Sequence, residues 1–137
     1  MRFSLYYIAI SLFIGCSSGI LKGQELSSSD LAYIKSLGLL NDEESIVRFS
    51  SSMNLKSSGN FYTDKRIAAY WIYSDEDERY SAYYHEIQSI DLNYGDGLEY
   101  ASKLIVSLKD NTSFEVYFNC EKEEIDKIYE EVKKFLE

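Results

Sequence analysis

Residues 100–136 read YASKLIVSLKDNTSFEVYFNCEKEEIDKIYEEVKKFL, and the fold turns on how this stretch is read. Leu104, Val106 and Leu108 stand at every second position, and after Asp110-Asn111 the alternation returns in Phe114, Val116 and Phe118. Period two on both sides of a short polar turn predicts an antiparallel hairpin with one buried face. Beyond Cys120 the period lengthens, and Ile125, Ile128, Tyr129, Val132, Phe135 and Leu136 fall on one helical stripe. Glu121, Glu123 and Glu124 open that helix and Lys133-Lys134 close it, each matching the sign of the helix dipole. The stripe is read as a face that docks on the protein's own sheet. A hairpin followed by one closing amphipathic helix indicates an α+β chain in which a helix covers antiparallel strands.

Upstream, the same reading finds more strands and one short helix. Ser29-Asp30 is placed as the cap of a helix carrying Leu31, Ile34 and Leu37, with Gly38 at its end. Leu39-Leu40 leads into the acidic turn Asn41-Asp42-Glu43-Glu44. Residues 46–51 are expected to form a strand with Val47 and Phe49 on one face. Residues 59–63 and 66–73 flank Asp64-Lys65 as a two-residue turn, with Ile67, Ala69, Trp71 and Tyr73 on the core side. Residues 81–93 read as two shorter extended pieces meeting near His85-Glu86. About seven strands result. Thirteen tyrosines suit half-buried strands, where the ring packs and the hydroxyl reaches water.

These segments together resemble the bacterial PH-like (pleckstrin-homology-like) domain family. The resemblance rests on Leu37-Gly38-Leu39-Leu40 before the acidic turn, and on Gly59 to Arg66 running into the Tyr70-Trp71 strand. It continues through Tyr84-His85-Glu86-Ile87-Gln88-Ser89-Ile90, the Lys109 to Thr112 hairpin and the terminal helix. It spans residues 31–136. It implies a seven-stranded antiparallel sandwich or partial barrel, capped by the C-terminal amphipathic helix and preceded by a short N-terminal helix, over a domain of residues 30–137. Members of the family generally serve as binding or scaffolding modules. Some PH domains hold phosphoinositides through basic residues in the loop after the first strand. Here that loop offers only Lys56 beside the acidic residues that follow Ser74, so no phosphoinositide function is carried over.

The N-terminus carries a different signal. Arg2 precedes an apolar run from Phe3 to Ile14, the length of a signal-peptide core and too short to span a bilayer. Phe13-Ile14-Gly15-Cys16 resembles a bacterial lipobox, with Phe13 where leucine is usual. The resemblance implies cleavage after Gly15, so that residues 1–15 are a signal peptide. It also implies diacylglycerol on the Cys16 sulfur and palmitate-type acylation of the new amino terminus. Two or more chains anchor a protein stably. Residues 16–29, rich in serine and glycine, are expected to form a flexible tether. The implied location is the bacterial cell envelope, lipid-anchored to a membrane.

Charge and residue inventory narrow the function classes. A formal net charge of −9 opposes binding to nucleic acid, which needs cations to displace phosphate counterions. Residues 75–99 hold eight acidic side chains against Arg79 alone. Asp75, Glu76, Asp77, Glu78, Asp91 and Asp96 are therefore the expected acidic surface for a basic protein partner. His85 is the only histidine, and no Gly-x-Ser-x-Gly elbow accompanies it, so no catalytic residues are assigned. Zinc would have only His85 and Cys120 beyond the acylated cysteine. Asp75 to Glu78 and Asp91 to Gly97 both lack the order of a calcium loop, so no metal or other cofactor is expected. Cys120, left without a disulfide partner, is expected to be buried and inert. The expected function is a non-enzymatic binding lipoprotein for a protein or peptide. The alternative is a structural lipoprotein assembled into an envelope complex.

Overall fold

The structure, a computed structural model, describes residues 19–73, 75–95 and 101–137. Five strands form one antiparallel sheet in sequence order: β1 (Ile20–Lys22), β2 (Ile46–Ser50), β3 (Ser58–Thr63), β4 (Arg66–Ile72) and β5 (Asp77–Tyr83). Three more form a second antiparallel sheet: β6 (Ile87–Asn93), β7 (Ser102–Leu108) and β8 (Ser113–Phe118). One 3-10 turn, Tyr84–Glu86, carries the chain from the first sheet to the second. Helix α1 (Ser28–Ser36) lies early in the chain and α2 (Lys122–Leu136) ends it.

The decisive hairpin forms as its periodicity requires. Leu104 faces Val116 and Val106 faces Phe114 across β7 and β8, all of them buried. Asn111 takes a φ of 71°, a left-handed conformation that asparagine tolerates, and the Thr112 amide donates to the Asp110 carboxylate at 2.9 Å. Ile125, Ile128 and Val132 of α2 are buried in the same cluster as that hairpin's inner face. The helix thus covers its own sheet.

The first sheet departs from the expected pattern because both faces of its strands β3 and β4 are buried. Tyr62, Ile67 and Ala69 point into the cluster shared with β7, β8 and α2. Phe61, Ala68 and Tyr70 point the other way, into a second cluster with Leu26, Ile34, Leu39, Leu40, Ile46 and Phe49. Trp71 is only half-buried and Tyr73 is exposed, so the four-residue core face expected on β4 ends at Ala69. Close stacking of side chain on backbone selects Gly59, where a Cβ would stand 2.3 Å from the Tyr70 ring.

Four further expectations are corrected. Val47 and Phe49 do not share a face: a register shift between Ile46 and Arg48 turns Val47 toward the inner cluster and Phe49 toward the outer one. The described strands number eight, since β1 adds to the seven from β2 onward. The expected tether gives way to ordered chain from Ile20: that residue pairs with Ser50 and is buried, as is Leu26. Ser27, not Ser29-Asp30, caps α1, its hydroxyl accepting from the Asp30 amide at 3.1 Å while Asp30 accepts from the Ser27 amide. The outer face of the first sheet needs an apolar cover, and residues 26–40 supply it.

A buried ion pair closes this layer. Glu44 and Arg66 are nearly inaccessible, and the Arg66 Nε donates to both Glu44 oxygens at 3.0 and 2.9 Å. The Thr63 hydroxyl donates to the same carboxylate at 3.0 Å and accepts from the Arg66 amide. Burial alone would raise the Glu44 carboxyl, but the bonds from Arg66 and Thr63 outweigh it and hold it below the usual carboxylate range. A folded-state value below the unfolded one contributes stability above the unfolded value, lost as pH falls through the folded one. Glu44→Ala strands a buried guanidinium and is expected to cost about 3 kcal/mol in urea unfolding at pH 7. The variant should also lose part of the acid-dependent decline in stability that the parent chain shows below the usual glutamate pKa.

Candidate functional site

β5 and β8 are the edge strands of their respective sheets, and the chain opens where they part. A cleft of about 580 Å³ lies there, lined by Trp71, Glu78 and Tyr80 from β4 and β5, by Ser113, Phe114, Glu115 and Tyr117 from β8, and by Ser52 and Ala101. Its two walls touch through Tyr80 and Phe114, stacked at 5.7 Å with an interplanar angle of 11°. Trp71 stands opposite Glu78 across the β4–β5 ladder and stacks on Tyr73 at 6.1 Å.

The facing wall carries a fixed ion pair. The Lys103 ammonium donates to Glu115 at 2.8 Å and lies 5.8 Å from the Tyr117 ring, while the Tyr117 hydroxyl donates to the other Glu115 oxygen. The bonds from Lys103 and Tyr117 hold the Glu115 carboxyl below its usual range, so it stays ionised at neutral pH. The Tyr117 amide points away from β7 and donates to the buried Asn60 side chain at 2.9 Å. Antiparallel alternation then directs the main-chain groups of Ser113 and Glu115 the same way, toward the open edge. Aromatic walls, the Glu78 carboxylate beside an ion-paired Glu115, and a strand edge suit an extended segment with basic and apolar side chains.

The residues named from sequence do not form one patch. Asp75, Glu76, Asp77 and Glu78 are exposed on the β4–β5 hairpin, where Asp77 meets Arg79 at 3.4 Å; Glu78 is the one that lines the cleft. Asp91 is exposed on β6, opposite Ile105, in the other sheet. Cys16 and Asp96 lie outside the described residues. His85 is exposed in the 3-10 turn and stacks on Tyr83 at 5.9 Å. That turn bonds to Lys109 beside the β7–β8 turn, at the opposite end of β8 from Cys120. Among the described residues no group of three or more His, Cys, Asp or Glu side chains is placed to hold a metal ion, and no helix is long and apolar enough to cross a membrane.

Sequence reasoning did not single out Tyr80, Phe114, Glu115 and Tyr117 as a site, and it assigned Trp71 to the core. Phe114 and Tyr80 are far apart in the chain, and only the angle between the sheets joins them. The one local signal was the pairing of aromatic and charged residues on the outward positions of β8.

No family model matches the chain, and no curated protein matches it. Among solved structures it is similar to a DUF1696 family protein with a pleckstrin-homology domain from Shewanella loihica PV-4, at a TM-score of 0.59 and 13% identity. The match covers 88% of this chain and 97% of that one. The chain therefore has a PH-like α+β fold. At that identity the likeness is one of fold alone.

Cys120 provides a check on the packing of the inner core. It is half-buried against the inner core, and burial, with the nearby Glu124 charge, pushes its thiol up to about 11. In a Cys16→Ala chain, alkylation of Cys120 at pH 8 should run roughly 100-fold slower folded than unfolded, followed by mass.

Proposed function

We propose that the chain is an exported bacterial lipoprotein, anchored to an envelope membrane through lipid on Cys16, whose PH-like domain binds a protein or peptide and catalyses no reaction. The observation that carries the binding reading is the cleft between β5 and β8: aromatic walls, Glu78 and an ionised Glu115, and a strand edge open to pairing. Charges elsewhere are engaged in holding the fold, as in the buried Glu44 with Arg66 and the partly buried Arg48 with Glu131 and Tyr62. The acidic surplus favours a basic partner and speeds its approach. The Phe3–Cys16 pattern supports export and acylation.

Two measurements test the reading. Intact mass of the protein purified from bacterial membranes should show a mature chain starting at acylated Cys16, absent from a Cys16→Ala variant. Trp71 is the chain's only tryptophan and lines the cleft, so its fluorescence reports occupancy. Titration with an extended peptide alternating lysine and valine should give a saturable change. Glu78→Gln combined with Glu115→Gln should weaken it about tenfold, the equivalent of ~1.4 kcal/mol. A non-saturable response, or one indifferent to both substitutions, would remove the cleft as the binding site.

A further inference from the structure

The ordered fold begins so soon after Cys16 that the anchor, where present, decides which end of the domain meets the membrane. Ile20 pairs with Ser50, Ser50 with Asn60, Asn60 with Ala69 and Ala69 with Tyr80, one row across the first sheet. On the side of this row toward Gly19 lie the β2–β3 loop, the β4–β5 turn and the Asn119 carbonyl that Gly19 approaches. Tyr94, which follows β6, belongs to the same end, since its ring meets Lys122 and its hydroxyl bonds Asp126 on the first turns of α2. Three residues separate Cys16 from Ile20, and the four Cα–Cα steps between them reach about 14 Å when fully extended. The seven residues of β4 carry the opposite end of the sheet, with the Asp64-Lys65 turn, about 20 Å farther away.

That end also has the chemistry of an interfacial surface. Met53 at 76%, Tyr73 at 55% and Tyr94 at 47% are the most exposed large apolar side chains among the described residues, and all three stand there. Met53 is not on a loose loop: the Tyr33 hydroxyl donates to the Lys56 carbonyl at 2.7 Å, and the Tyr70 hydroxyl donates to the Leu55 carbonyl. Tyrosine favours the boundary between water and lipid, where one end of the ring is apolar and the other wet. Asp75, Glu76 and Asp126 share the end with the cations Lys56 and Lys122, so an uncharged or zwitterionic headgroup surface suits it better than an anionic one. We infer that the domain sits end-on upon the bilayer holding its own lipid anchor, with Met53, Tyr73 and Tyr94 seated among zwitterionic headgroups. This rests on acylation of Cys16, proposed above.

The test uses acylated protein carrying Trp71→Phe, with one new tryptophan from either Met53→Trp or Lys109→Trp, the latter on the exposed turn at the opposite end. Both are reconstituted into phosphatidylcholine vesicles with brominated acyl chains, after intact mass has verified acylation. Met53→Trp should be quenched several-fold more strongly than Lys109→Trp. Inserting ten Gly/Ser residues after Ser18 should lower that quenching while acylation persists. Replacing half the lipid by phosphatidylglycerol at low salt should lower it too. Acylated protein quenched equally at both positions overturns the orientation and leaves the anchor standing. Stronger quenching on the phosphatidylglycerol surface overturns it as well, since a basic face would then be meeting the lipid. An unacylated mass removes the anchor and the orientation together.

Discussion

Strands β3 and β4 have almost no face left for water, and the rest of the molecule is arranged around that constraint. Every residue of β3 and the first five of β4 are buried. A sheet of this kind needs two apolar covers. The second sheet and α2 supply one; α1, Leu26, Leu39 and Leu40 supply the other. Each large side chain fully removed from water contributes about 1.5–3 kcal/mol, so neither cover is dispensable in a domain whose net stability is about 5–15 kcal/mol. Small residues at the crowded points make the double burial feasible, with Ala68 and Ala69 on opposite faces and Gly59 beneath the Tyr70 ring.

Double burial also leaves few places for charge inside, and among the described residues one buried and one partly buried ion pair join separate elements. Glu44 with Arg66 ties the segment after α1 to the start of β4. Glu131 receives Arg48 from β2 at 3.3 Å and the Tyr62 hydroxyl from β3, fastening α2 across the inner layer. Burial and the Glu131 bond push the Tyr62 hydroxyl well above its ordinary range, so it acts as a fixed donor. Such pairs add little net stability relative to apolar packing, yet breaking one is costly. Their service is to fix how elements distant in sequence meet.

Legibility in the sequence followed periodicity. Leu104 to Phe118 and the stripe from Ile125 to Leu136 were readable because one face is buried and the other wet, which leaves a period. β4 was readable as a strand but not in its facing, since Ile67, Ala68, Ala69 and Tyr70 are all buried and erase the alternation that would orient them. The shift between Ile46 and Arg48 inserts one residue that no local pattern announces, so Val47 and Phe49 were assigned a common side. Ser27 to Ser29 looked like linker because a capping box and a polar tether share the same residues, and only the buried Leu26 and Ile34 beside them decide the matter. The cleft was least visible of all. It exists where two sheets diverge, and it gathers Trp71, Tyr80 and Tyr117 across distances that spacing does not encode.

The cover over β3 and β4 links the fold to the proposed anchoring. Had residues 16–29 remained a free tether, the domain could stand well away from its lipid and turn in any direction. Drawing Ile20 into the inner cluster and Leu26 into the outer one leaves three residues between Cys16 and the first strand. The Trp71–Glu78 pair and Ser52 put part of the cleft lining toward the same end of the sheet as Gly19. On the proposed anchor, a partner entering the cleft therefore approaches alongside the bilayer rather than from open solvent. Basic segments that flank membrane spans combine the charge that Glu78 and Glu115 would attract with that position. The acidic β4–β5 turn would attract such a segment while disfavouring anionic lipid at the same spot. A negative surface beside a membrane is costly against lipid alone, and it is useful when a cationic partner shares that membrane.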